Sequence, residues 1–212
     1  MFTGIVREMG KIMAVERIPG GVRLKIQAQK SLPGMRVGDS MALNGACQTV
    51  VAVDQISFCV EALEETLRRT TIDRWKVGHL VNLESPVGLN DLLGGHLVTG
   101  HVDGVGLIRA RVRRAGDLLF HIQPPGELLA QIFERGSVAV DGVSLTVVGV
   151  WGDRFSVTLI PHTQKETTLG WRRIGDGVNL ETDMIAKALQ RLLDPYLMDR
   201  GLTRERLEKL GF

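Results

Sequence analysis

Residues 94–106 read Gly94-Gly95-His96-Leu97-Val98-Thr99-Gly100-His101-Val102-Asp103-Gly104-Val105-Gly106, and from this point the chain repeats what precedes it. The opening Phe2-Thr3-Gly4-Ile5-Val6 returns as Val98-Thr99-Gly100-His101-Val102, a shift of 96 positions. Three further blocks return with a shift of 97 positions: 44–50 as 141–147, 66–72 as 163–169, and 77–84 as 174–181. Such a period is longer than the roughly 20–50 residues of a solenoid unit, so each copy is interpreted as a whole domain.

The composition is that of an ordinary globular protein. The chain has 212 residues, of which 44% are hydrophobic and 24% charged, and its formal net charge is +2. A balance this close to neutral argues against nucleic-acid binding, which needs clustered positive charge. The longest basic cluster, Arg109 to Arg114, alternates with apolar residues and is interpreted as a solvated strand face.

The two cysteines, Cys47 and Cys59, lie in strand-like runs and provide no disulfide framework, which suits a reducing compartment. The N-terminal residues do not resemble a signal peptide, because charged Arg7, Glu8 and Lys11 follow at once. The sequence also lacks the run of about 18 apolar residues that a membrane span requires. We therefore expect a cytoplasmic protein without membrane spans.

Each copy is a series of short segments with the apolar alternation of β-strands. In the first copy these are 22–26, 41–43, 49–53 and 56–60; in the second they are 118–122, 137–140, 145–150 and 155–160. Turn signals such as Asn44-Gly45 and Asp141-Gly142 separate them. Strands this short and numerous would leave long unpaired edges in a flat sheet, so two small closed barrels are predicted. A short helix is expected over 126–133 and a helical turn near 64–68.

A single-copy tail follows the second copy. Thr182 or Asp183 can cap a helix over 184–193, which Pro195 is expected to end. The helix carries one apolar stripe, formed by Ile185, Ala188, Leu189 and Leu192. That stripe can dock on the chain's own barrel or associate with the same helix of other subunits, and the pattern alone does not choose between them. A last short helix is predicted over 203–210.

Several kinds of site are excluded by spacing. The five histidines and two cysteines show no metal-ligand pattern, so no metal site is expected. The block Gly142-Val143-Ser144-Leu145-Thr146 lacks the Gly-x-Ser-x-Gly elbow of the serine hydrolases. Gly100-x-x-x-Gly104-x-Gly106 follows no phosphate-loop pattern. Strands also do not alternate with long helices, which argues against a dinucleotide-binding fold.

Taken together, these blocks resemble the riboflavin synthase family over the whole chain. The resemblance rests on residues 1–6, 94–104, 141–147, 160–163 and 207–212. It implies an all-β pair of tandem Greek-key six-stranded barrels over 1–97 and 98–182, with a helical trimerisation segment over 183–212. It further implies a homotrimer whose active sites lie between the N-terminal barrel of one subunit and the C-terminal barrel of another. Association with lumazine synthase is left open.

The resemblance also implies the site residues. In the first barrel the substrate site is expected at Thr3, Gly4, Ile5, Val6, Cys47, Gln48, Thr49, Glu65 and Thr66. In the second barrel it is expected at Gly100, His101, Val102, Ser144, Leu145, Thr146, Ile160, Pro161, His162 and Thr163. Further substrate-binding residues are Arg135, Gln164 and Lys165, and the catalytic candidates are His101, Ser144, Cys47 and Thr49. Because His101 has no counterpart at Ile5, acid–base chemistry is assigned to the second barrel.

The implied reaction is the dismutation of two 6,7-dimethyl-8-ribityllumazine molecules to riboflavin and 5-amino-6-ribitylamino-2,4-pyrimidinedione, without an external cofactor. Three positions depart from the family pattern: Gln48 in place of the usual Leu, Glu64 in place of Pro or Ala, and Arg135 where some members carry Lys. They leave a second hypothesis, a non-catalytic lumazine or flavin carrier that resembles the fluorescent lumazine proteins. His96, His101 and Asp103 match the enzyme pattern and favour the synthase.

Overall fold

The computed structural model describes the backbone of residues 1–198 and 208, and the side chains of residues 1–193 and 208. The first six strands are β1 Glu8–Ile18, β2 Gly21–Gln27, β3 Ser40–Leu43, β4 Ala46–Val53, β5 Ser57–Leu63 and β6 Leu80–Glu84. The next six are β7 Gly104–Arg114, β8 Asp117–Gln123, β9 Ser137–Val140, β10 Val143–Trp151, β11 Arg154–Leu159 and β12 Gly177–Thr182. The helices are α1 Glu64–Arg69, α2 Gly126–Leu129, α3 Pro161–Glu166 and α4 Met184–Met198.

Each set of six strands closes into an antiparallel barrel, which confirms the predicted fold class. The first barrel has the order β1-β2-β5-β4-β3-β6, and β6 closes it by pairing with β1 from Glu8↔Leu83 to Lys11↔Leu80. The second barrel has the same order, β7-β8-β11-β10-β9-β12. Closure removes the unpaired edges that such short strands would otherwise expose.

The apolar alternation read from the sequence matches the faces of the strands. On β2, Val22, Leu24 and Ile26 are buried in the first core, whereas Arg23 points outward and pairs with Glu61 on β5. The second core is built in the same way around Ile108, Phe120, Phe155 and Leu180, among others. The basic residues of 109–114 are exposed along β7, as predicted.

The two duplicated hairpin turns meet each other between the barrels. Asn44 and Gly45 have φ angles of 44° and 79°, and Asp141 and Gly142 have φ angles of 45° and 75°. Positive φ at both central positions is the signature of the tight hairpin turn that Asn-Gly and Asp-Gly favour. A Cβ on Gly142 would lie 2.6 Å from the Gly45 nitrogen, so only glycine allows this approach. The duplicated copies are thus packed turn against turn.

The short helices follow β5 and β11 in the two copies. After α1 and α3 the chain forms a 3₁₀ helix, Thr71–Arg74 in the first copy and Thr168–Trp171 in the second. The helix predicted over 126–133 is shorter than expected, because α2 ends at Leu129. Beyond it Gln131 and Ile132 donate to carbonyls three residues back, so the chain tightens into turns instead of continuing as an α-helix.

The C-terminal helix α4 begins after Asp183, whose Oδ1 accepts a hydrogen bond of 2.8 Å from the Ile185 amide. Its backbone runs to Met198, so the prediction that Pro195 ends it is wrong. An internal proline removes one helical hydrogen bond and can bend a helix without terminating it. The helix predicted over 203–210 lies outside the described residues, apart from residue 208. No helix in the described part of the chain is long and apolar enough to cross a bilayer.

The opening segment of each copy crosses to the other barrel. Phe2 and Val98, which correspond in the repeat, pair through two backbone hydrogen bonds of 2.7 and 3.0 Å. Beyond this pair, Val6 packs on the core of the second barrel and Val102 is buried in the core of the first. The chain therefore contains an internal exchange of segments, and neither barrel is complete without residues from the other copy.

Two buried asparagines also connect the barrels. The Asn82 side-chain amide donates to the Asp141 carbonyl at 2.8 Å, and that of Asn179 donates to the Asn44 carbonyl at 2.9 Å. Their side-chain oxygens accept from the amides of Thr168 and Thr71, across the same interface. Buried polar groups bonded this completely are satisfied only in one relative orientation, so the barrels are held in register.

Candidate active site

Polar side chains face outward at the start of the fourth strand of each barrel, where the crossed segment arrives. We define the first mouth as Cys47, Thr49, Gly100 and His101, and the second mouth as Ser144, Thr146, Gly4 and Ile5. On β4 and β10 side chains alternate, so Gln48 and Leu145 are buried inside while their neighbours on either side face outward. The two mouths are therefore duplicated in backbone but carry different side chains.

A backbone hydrogen bond joins strand and crossed segment in each mouth. The Cys47 amide donates to the Gly100 carbonyl at 2.9 Å, and the Ser144 amide donates to the Gly4 carbonyl at 2.8 Å. A Cβ on Gly4 would lie 2.6 Å from the Ser144 Cβ, and one on Gly100 would lie 2.5 Å from the Cys47 Cβ. Both glycines also have positive φ, 76° and 83°. The closeness of strand and segment thus depends on glycine at both positions.

This arrangement corrects two assignments. The sequence placed Gly4, Ile5 and Val6 in the first barrel's site, but in the structure Gly4 bonds to Ser144 and Val6 packs on the second core, with Ile5 between them in the chain. Likewise, the segment that carries His101 lies against Cys47 in the first barrel. Acid–base chemistry by His101 would therefore belong to the first mouth and not the second. Repeat matching could not reveal this, because a segment that crosses to the other copy has the same sequence pattern as one that packs on its own barrel.

A buried glutamate clamps each crossed segment. Glu84, at the end of β6, accepts from the Thr3 amide at 2.6 Å, the Thr3 hydroxyl at 2.8 Å and the Gly4 amide at 3.1 Å. Glu181, on β12, accepts the corresponding three bonds from Thr99 and Gly100 at 2.6, 2.7 and 2.9 Å. Hydrogen bonds to a carboxylate are about twice as strong as neutral ones, so these residues fix the segments in place.

Burial dominates the electrostatics of both clamps. Desolvation raises the pKa of Glu84 and of Glu181 above the usual value, although the hydrogen bonds they accept act in the opposite direction. For Glu181 the nearby Lys187 also favours the charged form. Each carboxylate is thus kept at some cost in a buried site, which is consistent with a role in ordering the mouth.

The second mouth has one feature that the first lacks. His96, from the segment that links the barrels, places Nδ1 2.7 Å from the Ser144 hydroxyl oxygen. Its Nε2 is buried and has no hydrogen-bond partner within the described part of the chain. Desolvation lowers the pKa of His96, while Asp183 acts weakly against that shift. The imidazole is therefore neutral at pH 7 and in hydrogen-bond contact with a hydroxyl.

Comparison with known proteins identifies the family. The family profile described as the Lumazine binding domain matches twice, over residues 3–86 and 99–183. The riboflavin synthase of Actinobacillus pleuropneumoniae is 39% identical over the full length of both chains. That of Brucella abortus is 44% identical over 91% of this chain and 98% of its own length. The chain belongs to the riboflavin synthase family.

The fold is also similar to that of LumP, for which solved structures exist. LumP in complex with riboflavin superposes with a TM-score of 0.80 at 27% identity, over 86% of this chain and 99% of LumP. LumP in complex with 6,7-dimethyl-8-(1'-D-ribityl)lumazine gives a TM-score of 0.78 at 26% identity, with the same coverage. The identity to the riboflavin synthases is higher and extends over the C-terminal residues as well.

The remaining site residues predicted from the family lie on and around the helices that follow β5 and β11. Glu65 on α1 is exposed and forms ion pairs with Arg68 and Arg69, and Thr66 beside it is partly buried. Gln164 on α3 donates to the Gly116 and Leu159 carbonyls at 3.0 and 2.8 Å, so its amide fastens the helix to the barrel. The other predicted residues of this region are exposed or partly buried, namely Ile160, Pro161, His162, Thr163 and Lys165.

Arg135 occupies a strained position next to β10. Its φ is +66°, and its amide donates to the Val147 carbonyl at 2.9 Å. The corresponding residue of the first copy is Gly38, whose φ is +95° and whose amide donates to Val50. A side chain in this conformation costs roughly 1 kcal/mol. The Arg135 side chain is exposed beside β10.

One cleft adjoins the crossed segment of the first copy. It has a volume of about 380 Å³ and is lined by Ile5, Val6, Arg7, Glu84 and Leu92, among others. A volume of this size is within the usual range for small-molecule sites. A larger groove of about 790 Å³ on the first barrel is lined by none of the predicted site residues, and we assign it no role. In the described part of the chain no cluster of His, Cys, Asp or Glu is arranged to hold a metal ion.

Three residues of this site were missed from the sequence. Glu84 and Glu181 close the repeated blocks 77–84 and 174–181, so the duplication already marked them as a matched pair. His96 belongs to the single-copy Gly94-Gly95-His96 stretch, and only its place in the family pattern singled it out. Its partner Ser144 is 48 residues away, and no sequence pattern predicts that contact.

Proposed function

We propose that this chain is a riboflavin synthase, which converts two molecules of 6,7-dimethyl-8-ribityllumazine to riboflavin and 5-amino-6-ribitylamino-2,4-pyrimidinedione. The observation that carries the proposal is the pair of duplicated mouths in a chain of this family. Two equivalent frameworks with different polar side chains fit a reaction in which two identical substrates take different parts. The reaction balances without a cofactor, because one lumazine transfers a four-carbon unit to the other.

The first contribution of the protein is to hold two rings in the reacting geometry. The methyl group at C7 of the lumazine is acidic by itself, because its anion is delocalised through the ring. Holding two such molecules face to face can correspond to effective molarities of about 10⁵ to 10⁸ M. Strand-end backbone groups and the hydroxyls of Thr49, Ser144 and Thr146 suit the alternating donors and acceptors of a pterin edge.

The second contribution is proton transfer, and the two mouths offer different groups for it. The first mouth has the Cys47 thiol, the Thr49 hydroxyl and the segment that carries His101, which is exposed. The second has the Ser144 hydroxyl with His96 against it. Positioned groups of this kind contribute roughly 10² to 10⁴ in rate. We propose that Arg135, Gln164 and Lys165 line the substrate site beside the second barrel.

We further propose that the chain assembles as a homotrimer through α4. The first turn of this helix is fastened to its own barrel, because Lys187 pairs with Asp103 at 2.6 Å. Further along, the stripe is open: Leu189 and Leu192 are 54% and 67% exposed. An apolar stripe this exposed favours association with other copies, and light scattering measures the resulting mass. Lumazine synthase, added to the same experiment, would reveal a mixed complex.

The organisation that accompanies this proposal follows the repeat. Residues 1–97 and 98–182 carry the strands of the two lumazine-binding units, each completed by the crossed segment of the other copy, and residues 183–212 form the segment for assembly. Both cysteines are free thiols, which suits the reducing conditions of the cytoplasm, where we place the protein.

A direct assay separates the synthase from the carrier. The purified protein is incubated with 6,7-dimethyl-8-ribityllumazine alone, and riboflavin is followed by its absorbance. We expect one riboflavin for every two lumazines consumed, without added metal or nucleotide. The likeness to LumP supports a carrier as the second candidate. Tight binding of the lumazine without turnover would establish the carrier instead.

A further inference from the structure

We propose that His96 is a positioning residue for the reaction, which acts through Ser144 as the final proton acceptor of the second mouth. This inference rests on the proposed synthase function and adds a residue to it. The relay would move one proton from the C7 methyl of the lumazine in that mouth to Ser144 Oγ, while the Ser144 hydroxyl proton moves to His96 Nδ1. The electron pair left on the methyl carbon is delocalised through the ring, and the imidazolium later returns the proton.

The linker places His96 with little freedom. The His96 amide donates to the Thr3 carbonyl at 3.1 Å, which anchors the backbone on the crossed segment. A Cβ on Gly95 would lie 2.1 Å from the Thr3 carbonyl oxygen and 2.9 Å from the Ser144 Cβ. Gly95 therefore has to be glycine for the linker to pass this close to Ser144. The contact of 2.7 Å between Nδ1 and Oγ is the outcome of this packing.

The protonation state fits a proton acceptor. Burial lowers the pKa of His96, so the ring is neutral at pH 7. With Nδ1 accepting from the Ser144 hydroxyl, Nε2 carries the hydrogen, and this buried N–H has no partner in the described part of the chain. This tautomer leaves the Nδ1 lone pair directed at the Ser144 hydroxyl, where it can take the hydroxyl proton.

The charged groups around His96 support the cation that the relay forms. Asp183, at the start of α4, is the charged residue that acts on His96, and it favours the protonated ring. Glu84 is connected to His96 through Thr3. Glu84 accepts from the Thr3 amide, and the Thr3 carbonyl accepts from the His96 amide. Among the described residues the first mouth has no comparable pair, and the repeat places residues 191–193 of α4 where a second linker histidine would stand. The relay would therefore operate in the second mouth alone.

The test compares His96→Asn, Ser144→Ala and the double variant. Asparagine can place an acceptor near the position of Nδ1 but cannot take a proton. We expect each single variant to lower kcat about 100-fold, with the dissociation constant of the lumazine nearly unchanged. The double variant should be no slower than Ser144→Ala, because His96 acts only through Ser144. In the wild-type protein kcat should fall at acidic pH, below the ordinary pKa of a histidine, and His96→Asn should abolish this decline.

A matched control comes from the other mouth. His101→Asn combined with Ser144→Ala should show multiplied losses, since the two residues lie in different barrels. The inference is overturned if the losses of His96→Asn and Ser144→Ala multiply, or if the acidic decline survives in His96→Asn. It is also overturned if His96→Asn changes only binding or the melting temperature. Absence of turnover in the wild-type protein would instead refute the proposed synthase function, which keeps the two failures distinct.

Discussion

Replacement of Glu84 by glutamine should loosen the second mouth and spare the first. Glutamine keeps one oxygen, which can still accept from the Thr3 amide and hydroxyl, now at 2.6 and 2.8 Å from Oε1. Its amide nitrogen then faces the Gly4 amide, which is 3.1 Å from Oε2 in the native clamp. Two donors therefore oppose each other. The opposite amide rotamer would move this conflict to the Thr3 amide, while the Thr3 hydroxyl could accept from the glutamine nitrogen. Because Gly4 contacts Ser144, the disturbance falls on the barrel that does not contain Glu84.

The size of the effect follows from the bond that is lost. A hydrogen bond to a charged acceptor contributes about 1.5–3 kcal/mol, and an unsatisfied buried donor costs a similar amount. The crossed segment is also held by the Phe2–Val98 pair and by packing of Val6. In the variant, most molecules therefore keep the segment bound to the second barrel. If about 1.4 kcal/mol of the loss appears as disorder of the mouth, affinity there falls about 10-fold.

Fluorescence titration with 6,7-dimethyl-8-ribityllumazine measures this effect mouth by mouth. Thr146→Arg blocks the second mouth and Thr49→Arg blocks the first, since both threonines are exposed and correspond in the repeat. In the Thr49→Arg background, Glu84→Gln should weaken binding about 10-fold; in the Thr146→Arg background it should change binding less than 2-fold. Glu181→Gln is the matched control and should give the reverse pattern. If Glu84→Gln weakens the first mouth instead, the crossing of segments does not govern the sites.

Further outcomes follow from other parts of the structure. Leu189→Asp should convert the assembly to monomers of normal fold but little activity, because the charge lies on the exposed stripe; light scattering with circular dichroism checks this, and an active monomer would contradict it. Arg135→Gly should stabilise the protein by about 1 kcal/mol by removing positive-φ strain while raising KM; an unchanged melting temperature would argue against the strain. Arg172→Met leaves Asp141 buried without its partner and should cost about 3–5 kcal/mol at pH 8. Burial already raises the pKa of Asp141, so the folded variant binds a proton more readily than the unfolded chain. Its stability should therefore fall as pH rises above the ordinary pKa of an aspartate, and urea titrations that show the opposite slope would refute this. Gln48→Leu should alter affinity at the first mouth and leave the chemical rate nearly intact. The buried Gln48 side chain donates to the Cys47 carbonyl and takes no part in proton transfer, and single-turnover kinetics separates the two effects.

The sequence determined the architecture of each barrel. Alternation along 22–26 or 118–122 follows from the two-residue period of a strand, and that period is a local property of the chain. Asn44-Gly45 and Asp141-Gly142 specify tight turns because few residues accept positive φ. Short strands between such turns favour a closed barrel, since unpaired strand edges are costly. The duplication could be recognised because the matching blocks of both copies keep a nearly constant spacing.

Some local predictions failed where neighbouring residues decided the outcome. Pro195 does not end α4, because a proline costs one hydrogen bond, and the rest of a helix can absorb that loss. The helix expected from residue 126 gives way to turns after Leu129, where carbonyls accept from residues three positions ahead. The spacing of apolar residues indicates which of them face the core. It does not indicate whether the helix from residue 126 extends over four residues or over the eight that were predicted.

Only the tertiary structure decided which mouth each segment serves. Val6 and Val102 are both apolar residues that need a core, and two homologous barrels offer nearly equal cores, so the sequence cannot show that each enters the other barrel. The same exchange moves His101 to Cys47 and brings Gly4 to Ser144. The contact between His96 and Ser144 likewise arises from a linker that packs against the exchanged segment. Such contacts depend on where the chain returns in space, and residue type and spacing carry no record of that.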